Sequence, residues 1–166
     1  MIDGKPATST PRDSIHQSDS NSSVINSVNL AYSTVGLSIN NVKLHALVDT
    51  GAALSCIRLI DYQRVSKSGR FPLQTCTKAS LSGPDGRALN VVGCCMLILC
   101  MGSLTITHKF YVIEDLQQAV ILGLDFLTDH SGSVDIANHK LVLHNGLSAE
   151  QFLLPCRPGS SLCNTE

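Results

Sequence analysis

Short runs of alternating apolar and polar residues, broken by small and turn-forming ones, make up the chain from Val28 onward. In "VNLAYSTVGLSINNVKLHALVDTG" two such runs flank Asn40-Asn41. Asparagine tolerates positive φ, so the pair predicts a tight hairpin. The second arm ends in "LHALVD", where four apolar residues in five lead up to Asp49, followed at once by Thr50, Gly51, Ala52 and Ala53. In "RLIDYQRVSKSG" Leu59, Tyr62 and Val65 recur every third residue, which predicts a short helix stopping at Ser68-Gly69. "TCTKASLSGPDGRALNVVG" reads as strand, turn, strand, with Ser82 to Gly86 at the tip. Pro84 and Asp85-Gly86 supply the turn chemistry there, and Gly83 adds backbone freedom. Two more strands surround Met101-Gly102, and "AVILGLDFL" runs from an apolar strand through Gly123 into a helical turn. "SVDIANHKLVLHNG" predicts a hairpin turning at Asn138-His139. Many short strands with only two short helices predict an all-β domain.

The flanks differ in composition. Residues 1–27 are rich in Ser, Thr, Asn, Asp and Pro, a mixture that cannot offset its ordering entropy, and are read as a disordered leader or linker. Residues 28–147 form the predicted domain, and 148–166 are expected to be an irregular tail. The full chain of 166 residues is 43% hydrophobic, enough for one domain with its own core.

Charge and cysteine content narrow the function classes. Twelve basic against thirteen acidic residues give a formal net charge of -1, which excludes binding of nucleic acid by bulk electrostatics. Arg58, Arg64 and Lys67 on the predicted helix read as a solvated face, not a binding patch. No run is long and apolar enough to span a membrane, and the N-terminus lacks the apolar core of a signal peptide, so the expected setting is cytoplasmic. Seven cysteines are many, but their spacing fits no zinc pattern. Cys94 and Cys95 are adjacent, so on a strand they face opposite sides. They are read as small buried hydrophobes in a reducing compartment, with Cys156 and Cys163 the more exposed thiols. No metal and no cofactor is expected.

Asp49 is the candidate for chemistry. Burying a lone carboxylate costs several kcal/mol unless something pairs with it, so its place at the end of an apolar strand needs a reason. An ordinary turn with Thr50-Gly51 is one reading. A phosphate-cradling loop is a second, although the companion glycine-rich loop and basic residue are missing. General acid-base catalysis by a carboxylate held on a strand end is the third.

"LVDTGAALSCI" and "AVILGLDFL", in that order with a glycine-bearing hairpin between them, resemble the retropepsin family. Its members are the single-domain aspartic proteases of retroviruses, gypsy-type retrotransposons and cellular relatives. The resemblance implies a closed β-barrel-like domain and an aspartic endopeptidase, with Asp49 as catalytic residue. Only one Asp-Thr-Gly triplet is present, so a pair of carboxylates requires a homodimer with one Asp49 from each chain. By the same resemblance, Thr50 bonds its counterpart across the dimer, and Gly51 lets the backbone approach the carboxylates. Ala52 stands where pepsin-like relatives often carry a hydroxyl, which implies a less acidic optimum, above about pH 3. Leu81, Ser82, Gly83, Pro84, Asp85 and Gly86 correspond to the flap that closes over a peptide. Ala119 and Ile121 match positions lining the substrate pockets, and Gly123 and Asp125 support the helix start.

The implied substrate is polypeptide, in the first place the element's own polyprotein, inside the cell or in virus-like particles, with no nucleic acid or membrane bound by this domain. A catalytically silent relative that only dimerises or binds peptides is the alternative. Two positions depart from the retroviral pattern, which commonly has a second Asp and an Arg that form ionic contacts supporting the dimer. They hold Ala53 and Leu124 here.

Overall fold

The computed structural model describes residues 33–67, 70–76, 81–146 and 148–155. The proposed leader, the Ser68-Gly69 stop, and Cys156 and Cys163 lie outside these residues.

Six strands close into a barrel in the order β1-β2-β6-β3-β5-β4. β1 (Thr34–Ile39) and β2 (Val42–Val48) form the expected hairpin, with Ile39 opposite Val42. Asn40 and Asn41 have φ of 49° and 65°, the left-handed pair a two-residue turn of this twist requires. The Asn40 side chain donates from Nδ2 to the carbonyl of Val65, 2.9 Å away, tying this turn to the end of helix α1 (Leu59–Val65). Along β1, Val35, Leu37 and Ile39 are buried, the period of two expected of a strand with one face in a core.

β3 (Cys56–Arg58) leads directly into α1. That helix buries Tyr62 and Val65, as their spacing predicts, but also Asp61. The Asp61 carboxylate is flanked by Arg58 and Arg64 at 2.8 and 2.9 Å, so these arginines pair a buried charge instead of forming a plain solvated face.

β4 (Val91–Met101) and β5 (Leu104–Ile113) are the longest strands, joined by a two-residue turn at Gly102-Ser103. β6 (Val120–Leu122) lies parallel to β2, with Leu122 level with Val48. Helix α2 (Leu124–Asp129) follows immediately. Val120, Leu122, Phe126, Phe110 and Val112 join the β1 and β4 side chains in one buried cluster.

A second sheet has the order β7-β8-β9, made of β7 (Ser133–Asp135), β8 (Lys140–Asn145) and β9 (Ser148–Leu153). β9 corrects the expectation of an irregular tail from residue 148, since it pairs with β8 from Asn145-Ser148 to Lys140-Leu153. Phe152 packs against the core, and the Glu150 carboxylate accepts from the backbone N–H and the hydroxyl of Ser103. Those contacts fasten the strand to the β4–β5 turn.

Candidate active site

β2 carries its apolar residues to the barrel end and stops at Asp49. The Asp49 N–H donates to the carbonyl of Leu122 at 3.0 Å, one step beyond the β2–β6 ladder. The chain then turns sharply: the N–H of Ala52 donates to the Asp49 carbonyl at 3.2 Å, and the N–H of Gly51 donates to Asp49 Oδ1 at 2.8 Å. A Cβ on Gly51 would lie 3.1 Å from that oxygen, so the absent side chain is what lets the backbone approach the carboxylate. Val48 is buried, Asp49 half-buried, and Thr50 and Gly51 are exposed in the single chain.

The loop is strapped to the turn between β6 and α2. Leu124 donates its N–H to the Ala52 carbonyl at 2.8 Å, and Asp125 donates its N–H to the Ala53 carbonyl at 3.3 Å. Gly123 sits so close to the loop that a Cβ would lie 2.8 Å from Leu54 C and O and 2.9 Å from Ala52 O. The two sequence motifs are therefore in contact, and Gly123 is the residue that permits it.

Asp125 does more than start a helix. Its carboxylate accepts from the Ser55 hydroxyl at 2.6 Å, the Ser55 N–H at 3.0 Å and the Phe126 N–H at 2.7 Å. The fully buried Ser55 hydroxyl in turn accepts from the N–H of Gly123 at 3.0 Å. Partial burial opposes the charge on Asp125, but the Ser55 and Phe126 donors and the neighbouring His108 outweigh it and hold the carboxyl below its usual range. Burial, and then the Asp125 charge, push the nearby Cys56 thiol up to about 12.

His108, on β5, lies beneath this network. Its Nε2 is 3.3 Å from Asp125 Oδ2 and its Nδ1 3.6 Å from Asp129 Oδ2, and its ring meets Phe110, Phe126 and His130 edge to face. Neither His108 Nε2 nor His130 Nε2 makes a hydrogen bond, although both are buried. Burial, and then the proximity of His108, lower the affinity of His130 for a proton. Neither Ser55 nor His108 was singled out from the sequence. The available signal was the alternation in "LTITHKFYVI", which puts His108 on the same face as the buried Leu104, Ile106, Phe110 and Val112.

Residues 81–90 form the expected hairpin. Gly83 donates its N–H to the Arg87 carbonyl at 2.8 Å, Leu89 to Leu81 at 2.8 Å, and Gly86, with φ of 77°, to Gly83 at 2.9 Å. Asp85 Oδ1 accepts from the Arg87 N–H at 3.1 Å. Ser82, Pro84, Asp85 and Gly86 are exposed and Leu81 and Gly83 half-buried, so the tip stands in solvent, while the far end is tied to Glu114, whose N–H donates to the Asn90 carbonyl and whose carboxylate accepts from the Asn90 side chain. Of the two predicted pocket residues, Ala119 is packed against the core. Ile121 is half-buried and points away from its fully buried neighbours Val120 and Leu122.

One expectation about the cysteines changes. Cys56 and Cys95 are buried hydrophobes, but Cys76 and Cys94 are joined as a disulfide, and Cys100 is exposed.

Neither a protein-family model nor a curated protein sequence matches the chain. Solved structures do. The retroviral protease-like domain of Ddi1 from Leishmania major superposes with a TM-score of 0.57 and 23% identity over 74% of this chain and 89% of that one. The protease of EIAV, solved with the inhibitor HBY-793, matches at a TM-score of 0.47 with 23% identity, covering 58% of this chain and 85% of its own. A retropepsin-like aspartic protease from Rickettsia conorii matches at 0.42 with 19% identity, over 61% and 75%. Together with the closed six-stranded barrel, in which a strand-end Asp-Thr-Gly loop is bonded to a Gly-Leu-Asp helix start, the likeness to the Leishmania domain shows that this chain has the retropepsin-like fold.

Proposed function

We propose that the chain is an aspartic endopeptidase that works as a homodimer. The observation that carries this reading is the setting of Asp49: a half-buried carboxylate at the end of β2, braced by the Gly51 N–H and fixed through Ala52 and Ala53 to the Gly123–Asp125 turn. Such bracing makes chemical sense for a group that must hold its position against a second carboxylate.

With one Asp49 from each chain at the two-fold axis, like charges a few ångströms apart cannot both ionise, so the pair holds one proton. The charged member takes a proton from water as that water attacks the peptide carbonyl. The protonated member gives its proton to the carbonyl oxygen, and a proton reaches the leaving nitrogen as the C–N bond breaks. The pair titrates in two coupled steps, so the rate is bell-shaped in pH. Thr50 and Gly51 are exposed in the single chain, which leaves them open to a second copy of the loop. The self-bonded hairpin at 81–90 serves as the cover that excludes water from a bound peptide. Ile121 offers an apolar side chain to an extended substrate, which main-chain pairing holds in register. The substrate in view is the polyprotein in which a domain of this kind is made.

The test is cleavage of a diverse peptide library between about pH 4 and 7. The wild-type chain and Asp49→Asn are compared, with molar mass measured under the same conditions. Loss of roughly 10³-fold or more in the variant is expected. Equal cleavage by both forms overturns the mechanism, and cleavage by a strict monomer overturns the shared site.

A further inference from the structure

We propose that Cys76 and Cys94 form a reversible oxidation site at the base of the 81–90 hairpin, one that exchanges with small-molecule disulfides of the glutathione type and controls how freely the hairpin opens.

Among the described cysteines, the geometry points to this pair. Gln74 and Cys94 are antiparallel partners that exchange two backbone hydrogen bonds, at 2.8 and 2.9 Å. The segment ending at Cys76 is thereby docked on the start of β4, and the two Cα atoms lie 6.1 Å apart, within the span a disulfide bridges. The approach is tight, for a Cβ on Gly93 would lie 2.6 Å from the Gln74 carbonyl oxygen and 2.8 Å from Leu73 Cγ. The backbone bonds at Gln74 bring the two sulfurs within reach of each other, and the covalent bond adds a tie to β4 at Cys76, two residues nearer the hairpin.

The other described cysteines stand apart from this chemistry. Cys95 faces the core on the opposite side of β4, and burial pushes its thiol up to about 12. Cys56 is held as high. Their thiolates, the reactive form, are therefore scarce at neutral pH. Cys100 is exposed at the far end of β4, opposite Thr105. Cys76 is half-buried and Cys94 buried, so attack from solution falls on Cys76.

The steps balance. The Cys76 thiolate attacks one sulfur of oxidised glutathione and releases one glutathione thiolate, leaving a mixed disulfide on Cys76. The Cys94 thiolate then attacks Cys76 Sγ and releases the second. Two protein thiols lose two electrons and two protons overall, and one glutathione disulfide becomes two thiols.

The sequence position of the bond gives it its effect. The pair is separated by 18 residues, and the hairpin from Leu81 to Asn90 lies between. A bond at its root limits the swing of a cover whose exposed tip is bonded within the hairpin, Gly83 to Arg87 and Gly86 to Gly83. The oxidised form is thus the slower to admit substrate and release product. That consequence rests on the peptidase reading above.

The experiment uses the full chain with Cys100, Cys156 and Cys163 replaced by serine, equilibrated across glutathione buffers from fully oxidised to fully reduced. Trapping free thiols and mapping the peptides by mass spectrometry follows the bond. Amide hydrogen exchange over 81–90 follows the hairpin, and peptide cleavage follows its consequence. Cys76–Cys94 should pass from bonded to free within this range, with slower exchange at 81–90 and turnover reduced about threefold or more when bonded. Cys76→Ser should abolish every response, and because Cys76 is only half-buried this variant folds even if Cys94→Ser does not. A pair bonded throughout, or free throughout, overturns the proposal, as does a bond that leaves exchange unchanged. Turnover equal in both forms overturns the control of opening. If neither form cleaves any peptide, the peptidase reading fails by itself, and exchange at 81–90 still decides the oxidation site.

Discussion

Ser55 and Asp125 tie the loop that follows Asp49 to the start of α2. Ser55 is fully buried, yet its hydroxyl donates to Asp125 and accepts from Gly123, so both ends of the hydroxyl are used. Ser55→Ala leaves the Gly123 N–H and one carboxylate oxygen without that partner, at a cost of roughly 1–3 kcal/mol. Urea unfolding at neutral pH measures it, and an unchanged midpoint would show that water replaces the hydroxyl. Asp125 also fixes a pH dependence. Its folded carboxyl lies below the ordinary 3.8, so the unfolded chain binds the proton more readily. Its stabilisation is complete above that value and lost as pH falls through the lower, folded one. His130 acts with the same sign in a separate window, because burial and then His108 disfavour its proton in the folded chain. That contribution is complete above about 6.5 and declines as pH falls below it. In a pH series, His130→Gln should flatten the upper slope and Asp125→Asn the lower one. Each variant flattening the other's window would contradict the assignment.

Turns matter at the scale of elements, because a strand can carry a side chain to a site only if its ends are fixed. Gly123 lets β6 enter α2 against the backbone of Ala52 and Leu54. Gly123→Ala forces that backbone apart, with a cost of about 1–3 kcal/mol expected from overpacking, and it displaces the loop that holds Asp49. Activity should therefore fall further than stability accounts for, which cleavage assays on the folded fraction can establish. Normal activity per folded molecule would mean that the loop keeps its shape without this contact. At the first hairpin, Asn41 has φ of 65°, which a β-branched residue resists. Asn41→Val is expected to lose about 1–2 kcal/mol, read as a lower melting temperature with activity retained. Both turns were legible in the sequence, since Asn-Asn between alternating runs and glycine after an apolar strand each have one economical conformation. β9 was not. "SAEQFL" has only one large apolar side chain per face to announce a strand, and it is a strand because β8 supplies its ladder and Ser103 holds Glu150. The Cys76–Cys94 pairing was hidden for a related reason: it depends on the docking of Gln74 on Cys94, a contact between segments that no local pattern encodes.

For the whole molecule, the proposed homodimer raises the question of what would hold two copies together around the Asp49 loops. Asp49 was legible in the sequence as a candidate, because a carboxylate at the end of an apolar strand needs a reason, and the accompanying Gly-Leu-Asp motif narrowed the three readings of it. The His108 cluster beside Asp125 was not, since a single histidine on an inward face becomes meaningful only when Asp125, Asp129 and His130 are folded against it. The positions that would carry ionic support for a dimer hold Ala53 and Leu124, and both are exposed in the single chain, Leu124 at 45%. Exposed apolar groups beside a half-built site favour association by burial. Ion pairs between exposed charges weaken as salt rises, because the Debye length shrinks from about 10 Å at 0.1 M to about 3 Å at 1 M. An apolar contact is unaffected or strengthened. Cleavage activity per chain should therefore fall on dilution, as expected of a site shared between two molecules, with a midpoint that stays within about twofold between 0.1 and 1 M sodium chloride. Leu124→Ala should move that midpoint to higher protein concentration, and Leu124→Arg should make it depend on salt. Sedimentation velocity at matched concentrations separates association from chemistry. A dimer that dissociates tenfold more readily in 1 M salt would mean that other charged residues hold the two chains together, and that Leu124 lies outside the contact.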